Sequence, residues 1–212
     1  MRVTVFGGAG SVGSRVVAEA MARGHEVVAV ARNAARLSGL PAGAETRVGD
    51  ASAIADVVRL SRGQDLVISA TRPVPGQEEE LVTTTRALLA GLAETGVRLL
   101  LVGGAASLAV PGGGGATVID NPDFPAAIRA LALACARQLE TCRAAPSVDW
   151  TYLSPPALLQ PGTRTGHYRL GKDELLVDAA GHSAISMEDL AVALLDEAER
   201  PAHSRVRFTV AY

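Results

Sequence analysis

Three glycines near the start of the chain have the spacing of a dinucleotide-binding turn. Gly7, Gly10 and Gly13 form a G-x-x-G-x-x-G pattern in F-G-G-A-G-S-V-G, directly after the apolar run V-T-V-F. Glycine suits these positions because the turn is tight, a pyrophosphate must approach bare backbone, and the next helix must pack closely on the strand. Free N–H groups near Ser11 and Val12, in the first helical turn, would bind the phosphates. An ordinary flexible turn is the alternative, but the place between strand and helix predicts dinucleotide binding.

The end of the second apolar run indicates which dinucleotide is bound. Sites for NAD(H) usually place an acid there to bind the ribose hydroxyls, but this run ends V-A-V-A-R-N-A-A-R, without an acid. Arg32 offers a planar fork for a phosphate on the ribose, and Arg36 would approach it from the other side. The alternative is that both are solvated surface arginines. The pattern favours NADP(H) over NAD(H).

Two further strand ends supply candidate cofactor contacts. Asp50 and Ala51 follow the third strand and are predicted to line the adenine, although Asp50 would equally cap the next helix. Ala70 and Thr71 follow the fourth strand and are predicted to line the ribose side. Arg72 either reaches a phosphate or faces solvent.

These residues need a parallel sheet to bring them together, and the chain has the pattern of one. Short β-branched runs alternate with Ala/Leu-rich helical patterns, which is typical of βαβ units, and ligands of such sheets bind beyond the carboxyl ends of the strands. We therefore expect an α/β fold with a doubly wound parallel sheet, one domain over 1–212 and an irregular substrate-side segment over 154–185. Strands are predicted at V-T-V-F, E-V-V-A-V-A, T-R-V, D-L-V-I-S-A, V-R-L-L-L-V, D-W-T-Y-L-S and R-V-R-F-T-V, and helices near Val12–Arg23, Ala53–Ser61, Glu79–Thr95, Ala126–Arg143 and from Ser186, where Asp189 completes a capping box.

Composition narrows the class of partner. The formal charge of −2, without a long run of one sign, gives no electrostatic reason to expect nucleic acid or an anionic membrane, so a small-molecule substrate is expected. The start of the chain enters a strand at once and leaves no room for a signal peptide, which predicts a cytoplasmic protein. Cys135 and Cys142 lie on one predicted helix about 10 Å apart, too far for a disulfide. The four histidines have no metal-ligand spacing, so no metal site is expected.

With these motifs in view, the chain resembles the atypical short-chain dehydrogenase/reductase family. The resemblance is to its NAD(P)H-binding group, related to flavin reductases, biliverdin reductase B and NmrA-like proteins. It rests on G-G-A-G-S-V-G, V-A-R-N-A-A-R-L, V-G-D-A, S-A-T-R, L-L-V-G-G-A-A-S-L, D-W-T-Y-L-S-P-P and I-S-M-E-D-L-A-V-A-L-L-D-E. It implies a Rossmann fold with a small C-terminal substrate region, and often NADPH-dependent reduction of flavins or other flat conjugated acceptors.

One further motif, Y-R-L-G-K, has the Tyr-x-x-x-Lys spacing with which members of that superfamily protonate a carbonyl. Those members carry the pair on the helix after the fifth strand, which here contains neither residue type. Tyr168 and Lys172 instead follow the sixth strand, with Gly171 between them at a cost of about 1 kcal/mol to a helix. The flanking G-H-Y-R-L-G-K-D-E-L-L-V predicts a hairpin, so we interpret the spacing as a coincidence.

The resemblance also assigns roles around the substrate. Ser107 matches the region of the superfamily's active-site serine, and would hydrogen-bond an acceptor's carbonyl or merely cap its loop. Gly103, in the L-L-V-G-G run, and Pro155, in the nicotinamide-side wall, are counted as cofactor contacts; a plain turn is the alternative for Pro155. Phe124 and Tyr168 are the aromatic candidates for a substrate wall.

Two functions of different class follow. The first is an NADPH-dependent reductase of a flavin, quinone or similar conjugated molecule. The second is an NmrA-like redox sensor that binds NADP(H) without turnover and reports to a protein partner; an epimerase or dehydratase is a weaker third reading. The loop Pro111–Thr117, P-G-G-G-G-A-T, is either a lid or a slack connection, and a homodimer is left open.

Overall fold

The computed structural model describes residues 1–212, which form a large β-sheet with helices on both faces. The strands are β1 (Arg2–Phe6), β2 (Glu26–Ala31), β3 (Glu45–Val48), β4 (Leu66–Ser69), β5 (Arg98–Val102), β6 (Trp150–Ser154), β7 (Leu158–Gln160), β8 (Arg169–Gly171), β9 (Ala184–Ser186) and β10 (Val206–Ala211). The α-helices are α1 (Ser11–Ala22), α2 (Ile54–Ser61), α3 (Glu80–Thr95), α4 (Ala126–Arg143) and α5 (Met187–Glu199), and short 3-10 turns lie at Ala34–Leu37 and Val118–Asp120.

The order of the strands places a ligand crevice beside β1. The main sheet has eight strands in the order β3-β2-β1-β4-β5-β6-β10-β8, and only β8 is antiparallel to its neighbour. The chain winds outward from β1 to β3 in one direction and from β4 onward in the other, so the winding reverses between β1 and β4. Open α/β sheets bind ligands at this point, beyond the carboxyl ends of the strands. The predicted Rossmann-like doubly wound sheet is confirmed.

Each face of the sheet has its own apolar core. Side chains alternate along β1, so Val3 and Val5 pack with α1 and α5, whereas Phe6 packs with the layer of α2, α3 and α4. Strands covered on both faces are almost continuously apolar, which explains the V-T-V-F and L-V-I-S runs. The two buried layers hold the carboxyl ends of β1, β4 and β5 in fixed positions.

The predicted helices are confirmed to within one residue at each observed boundary. The capping box at α5 is only half formed. Ser186 accepts a hydrogen bond from the Asp189 N–H at 2.9 Å, but the Asp189 carboxylate does not return one to Ser186. It accepts instead from Thr165 and Gly166, which belong to the segment between β6 and α5.

That segment is more regular than the sequence predicted. β7 pairs with β9 in a separate two-stranded sheet, and β8 joins the edge of the main sheet beside β10. The predicted hairpin within Gly166–Val177 is therefore wrong. The chain after β8 pairs instead with Ala109, whose N–H donates to Asp173 and whose carbonyl accepts from Leu175. The chain after β8 thus forms backbone hydrogen bonds with a residue more than sixty positions earlier, and not with a neighbouring strand of a local hairpin.

The two cysteines are unpaired and held in apolar surroundings. Burial raises the pKa of the Cys135 thiol to about 11 and that of Cys142 to about 12, so both are neutral at physiological pH. None of the five helices has the length and apolar character needed to cross a bilayer. No group of three or more His, Cys, Asp or Glu side chains is arranged to hold a metal ion.

Candidate cofactor and active site

The turn after β1 has no room for a side chain at Gly7 or Gly13 and little room for one at Gly10. Gly7 has a φ of +76°, and a Cβ there would lie 2.6 Å from the Ala70 carbonyl oxygen at the end of β4. A Cβ on Gly13 would lie 2.1 Å from the Gly7 carbonyl oxygen, and one on Gly10 would lie 3.1 Å from it. The three glycines therefore allow α1 to pack on the turn and leave bare backbone at the switch point.

The first turn of α1 is open to an anion. Gly10 is the N-cap residue, and no side chain caps the helix. The N–H groups of Ser11 and Val12 consequently have no helical partner, and they stand at the positive end of a helix of 12 residues. A helix N-terminus of this kind is a common binding site for phosphate groups.

The two arginines predicted to read a ribose phosphate lie on the surface beyond β2. The Arg32 side chain is 57% exposed, and its guanidinium lies 3.7 Å from the carboxylate of Glu80 at the start of α3. Exposed pairs of this kind contribute little energy, so a phosphate can compete for Arg32. Arg36 lies in the 3-10 turn at 34–37, is exposed and forms no ion pair.

Asp50 and Ala51 follow the end of β3, and Asp50 has a local structural role there. The Asp50 carboxylate accepts hydrogen bonds from the Ser52 N–H at 2.9 Å and hydroxyl at 2.7 Å. It thus stabilises a local turn, while Ala53 is the N-cap of α2. Ala51 is buried beside it.

At the end of β4, the Ala70 carbonyl contacts the glycine turn and the Thr71 hydroxyl lies 3.1 Å from that of Ser69. Arg72 is exposed and forms no ion pair. These residues border the crevice between β1 and β4, and their contacts with a cofactor stay predictions.

The chain directly after β5 packs against the buried ring of Tyr152. The Tyr152 ring lies under Gly103, where a Cβ would come within 2.0 Å of it. Its hydroxyl accepts from the Gly104 N–H at 3.3 Å and lies 2.9 Å from the Cys135 carbonyl oxygen on α4. Burial raises the pKa of Tyr152 well above its usual value, so this hydroxyl stays protonated. Gly103 therefore has a packing role that the sequence did not reveal.

Ser107 follows β5 and contacts a residue that the sequence analysis missed. Arg207 on β10 donates to the Ser107 hydroxyl oxygen at 2.9 Å and to its carbonyl oxygen at 3.1 Å. The other side of the guanidinium binds Asp173. The only sequence signal was an arginine among the apolar residues of the strand R-V-R-F-T-V, a position where burial costs energy unless the charge is paired.

The glycine loop beside Ser107 is fixed at its base. Ala109 and Thr117 form an antiparallel bridge, and Val110 donates its N–H to the Ala116 carbonyl at 2.9 Å. Gly112, Gly114 and Gly115 adopt positive φ. Any lid movement is thus confined to the tip between Val110 and Ala116.

Of the two aromatic residues predicted to form a substrate wall, Tyr168 is not free to do so. Tyr168 donates its hydroxyl to Asp196 on α5 at 2.6 Å and packs on the core shared with α1, so it is a packing residue and not a free substrate wall. Burial and the Asp196 carboxylate both raise its pKa. Lys172 is exposed, and β8 lies between the two residues, which supports the interpretation of their spacing as a coincidence.

The roles of Phe124 in the substrate wall and of Pro155 beside the cofactor stay predictions. Phe124 is half-buried ahead of α4, with the Arg129 guanidinium 5.5 Å from its ring centroid. Pro155 is buried directly after β6.

With this geometry established, comparison with known proteins identifies the family. Residues 7–201 match the family described as NAD(P)H-binding. The chain belongs to this NAD(P)H-binding family. It is 39% identical over 216 residues to the uncharacterized protein YwnB of Bacillus subtilis (strain 168), covering 99% of this chain and 98% of that one.

Solved structures of similar proteins carry two different functional names. A Streptococcus pneumoniae TIGR4 protein provisionally named an NADH-flavin reductase is 31% identical with a TM-score of 0.89, over 100% of this chain and 99% of that one. A Bacteroides thetaiotaomicron protein provisionally named an epimerase is 36% identical with a TM-score of 0.90, over 100% and 96%. The resemblance to an NAD(P)H-binding group that includes flavin-reductase-like proteins is confirmed.

Proposed function

We propose that this NAD(P)H-binding protein is an NADPH-dependent reductase of a flavin, quinone or similar conjugated molecule. The observation that carries the proposal has two parts. The N-terminus of α1 lies at the switch point without a capping side chain, and none of the three tyrosine hydroxyls is free. The first feature fits a dinucleotide, and the second disfavours reduction of an isolated ketone.

The residues that would hold the cofactor follow from the site. The backbone of Gly7, Gly10 and Gly13 leaves room for the pyrophosphate, and the N–H groups of Ser11 and Val12 would bind it. The reduced cofactor, when bound, supplies a hydride. The chain's own task is to position an acceptor beside it and to exclude water.

The tyrosines indicate the class of acceptor. The chain has three, and each hydroxyl is already engaged. Tyr152 bonds under β5, Tyr168 donates to Asp196 at 2.6 Å, and Tyr212 donates to Asp189 at 2.7 Å. Reduction of an isolated ketone needs a positioned acid. A conjugated acceptor spreads the incoming charge over its ring system, so a weak hydrogen-bond donor and solvent water suffice.

The preference for NADPH rests on Arg32 and not on the comparisons, since the pneumococcal protein is named for NADH. Arg32 and Arg36 are exposed beyond β2, and the acid near them, Glu80, belongs to α3. An acid on α3 lacks the position at the end of β2 from which ribose hydroxyls are usually bound.

The sensor alternative would gain support from a large exposed apolar patch around the C-terminal helix. α5 does not offer one, because Glu199 is its only exposed residue. The helix itself therefore adds no support for the sensor.

The first experiment is anaerobic oxidation of NADPH by the purified protein, with FMN and menadione as acceptors and NADH as comparison. Ser107→Ala is expected to lower kcat about 100-fold, as loss of a hydrogen bond to developing charge often does. The matched control is Lys172→Met, which is expected to keep kcat within about twofold because the Lys172 side chain is exposed. NADPH binding without turnover would contradict the reductase and support the sensor.

A further inference from the structure

Arg207 is a buried cation whose entire hydrogen-bonding capacity is used. It lies on β10 and is 8% exposed. Its five N–H groups make five hydrogen bonds: two from one terminal nitrogen to the Ser107 oxygens, at 2.9 and 3.1 Å, and three from the other two nitrogens to Asp173, at 2.6, 2.8 and 3.4 Å. A fully bonded guanidinium has one orientation, so it holds Ser107 in one orientation too.

The contact decides what the Ser107 hydroxyl can do. Its oxygen accepts from Arg207, which turns the O–H bond away from the guanidinium, and the hydrogen has no acceptor in the protein. Ser107 is partly exposed and follows β5 at the edge of the sheet where ligands bind. It therefore presents a free donor to the substrate side.

A cation bonded to the oxygen of a hydroxyl also makes its hydrogen a stronger donor, because the two hydrogen bonds polarise each other. Such a donor is most useful opposite an oxygen that gains negative charge during the reaction. The exposed Asp173 balances the charge of Arg207 from its far side, so the donor is strengthened without an unpaired charge in the core.

We propose that Arg207 is a positioning residue that orients and polarises the Ser107 hydroxyl toward the carbonyl oxygen of a conjugated acceptor. This rests on the proposed function and narrows its substrate class to acceptors with a carbonyl in conjugation with the reducible atom. A hydride from a C–H bond of the reduced cofactor, which would be oxidised by two electrons, would form a bond to the reducible atom of the acceptor. The π pair of that atom would shift toward the carbonyl carbon, and the carbonyl π pair would move onto oxygen. Ser107 donates a hydrogen bond to that oxygen and keeps its proton, and water supplies the neutralising proton.

A purely structural role has to be separated from this one, because Arg207 also ties the loop after β5 to the chain after β8. The test is a double-mutant cycle on Arg207→Lys and Ser107→Ala, with kcat and KM measured for FMN and menadione. Arg207→Lys alone is expected to lower kcat about tenfold with KM within about twofold. In the Ser107→Ala background it is expected to change kcat less than about twofold, because there is no hydroxyl left to orient. Equal losses in both backgrounds would overturn the proposal.

A second measurement needs no turnover. Oxidised FMN and its anionic reduced form are each titrated anaerobically against the protein holding NADP+. Arg207→Lys is expected to weaken binding of the reduced form about tenfold and that of the oxidised form less than about twofold, with the difference absent in the Ser107→Ala background. Identical ratios in all four proteins would refute the role of Arg207.

Thermal melts of the four proteins report on folding. If R207K does not fold, Asp173→Asn takes its place, since Asp173 is exposed and its change leaves the arginine present. Its expected loss in kcat is about threefold and again confined to the background with Ser107 intact. Failure of the wild type to oxidise NADPH with either acceptor contradicts the proposed function, while the flavin titrations still decide between the two roles of Arg207.

Discussion

Arg32 is the residue on which cofactor choice depends. Arg32→Gln removes the guanidinium that would bind the ribose phosphate, and we expect the KM for NADPH to rise about tenfold while that for NADH changes less than about twofold. Steady-state kinetics with both cofactors measure this. The matched control is Arg62→Gln, an exposed arginine at the end of α2 that forms no ion pair. Equal effects on both cofactors would show that Arg32 does not read the phosphate.

Gly103 is predicted to be intolerant of any side chain. A Cβ would lie 2.0 Å from the Tyr152 ring, which is fixed by hydrogen bonds to α4, so Gly103→Ala is expected to lower the free energy of unfolding by about 3 kcal/mol or more. Urea unfolding measures it. Gly39→Ala has no atom within 4 Å of the new Cβ and is expected to be neutral or slightly stabilising. Similar midpoints for both variants would contradict the packing argument.

Some residues of the site could be predicted from the sequence around them, and others could not because their contacts are with distant parts of the chain. Gly7 and Gly13 are predictable from the sequence, because a tight turn between strand and helix imposes its residue types within seven positions. Arg207 and Ser107 are 100 positions apart, and no periodicity within either segment reports their contact. Tyr168 was placed in the substrate wall for the same reason: its partner, Asp196, lies 28 residues later in the chain, on α5.

At the scale of elements, the segment over residues 162–168 is hydrogen-bonded to buried carboxylates on α1 and α5. The Asp189 carboxylate accepts from the Thr165 N–H and hydroxyl, the Gly166 N–H and the Tyr212 hydroxyl at 2.6 to 2.8 Å. Glu19 on α1 accepts from two of the three nitrogens of the Arg164 guanidinium, one at each carboxylate oxygen. These contacts set the position of the segment relative to the cofactor helix.

Asp189→Asn is expected to loosen this segment. The amide has one acceptor oxygen in place of two, so at least one buried donor loses its partner, at a cost of about 2 kcal/mol in the free energy of unfolding. Urea unfolding at neutral pH measures the change. Asp123→Asn, on an exposed loop position, is the control and is expected to stay within about 0.5 kcal/mol. A control shift as large as that of Asp189→Asn would argue against a specific role for the buried carboxylate.

The elements themselves were predictable to different degrees. The apolar pattern of a helix or a buried parallel strand continues over the whole element, so it indicated both the type of element and its bounds. β8 is only three residues long and pairs with β10, which lies more than thirty residues later in the chain. Its alternation was compatible with a local hairpin, and only the register of the finished sheet selected the distant partner.

The molecule as a whole is expected to lose stability in acid. Hydrogen bonds from Arg164 hold the pKa of Glu19 below its ordinary value of 4.5. Burial opposes the same effect at Glu197, but hydrogen bonds from His203 and neighbouring groups outweigh it and lower that pKa too. Carboxyls with lowered pKa stabilise the fold above their unfolded pKa, so this contribution is lost as pH falls below about 4.5 toward the folded values.

The prediction is a fall in the urea midpoint between pH 5 and pH 3. Glu19→Gln is expected to flatten that fall, because the glutamine no longer takes up a proton on unfolding. Glu94→Gln, an exposed residue on α3 without an ion pair, should leave the slope unchanged. If the urea midpoint of Glu19→Gln falls with pH as steeply as that of the wild type, groups other than Glu19 cause the acid sensitivity.

The two outer strands of the sheet have a consequence for self-association. β3 is four residues long, exposed along its length and carries Glu45 and Arg47, while β8 is three residues long, begins at Arg169 and is followed by Lys172. A strand from another molecule would have to desolvate these charges to extend the ladder, and would gain few backbone hydrogen bonds in return. Both edges thus resist amyloid-like stacking at high concentration. A homodimer of this chain is accordingly expected to form through its helices or loops and not by continuing the sheet.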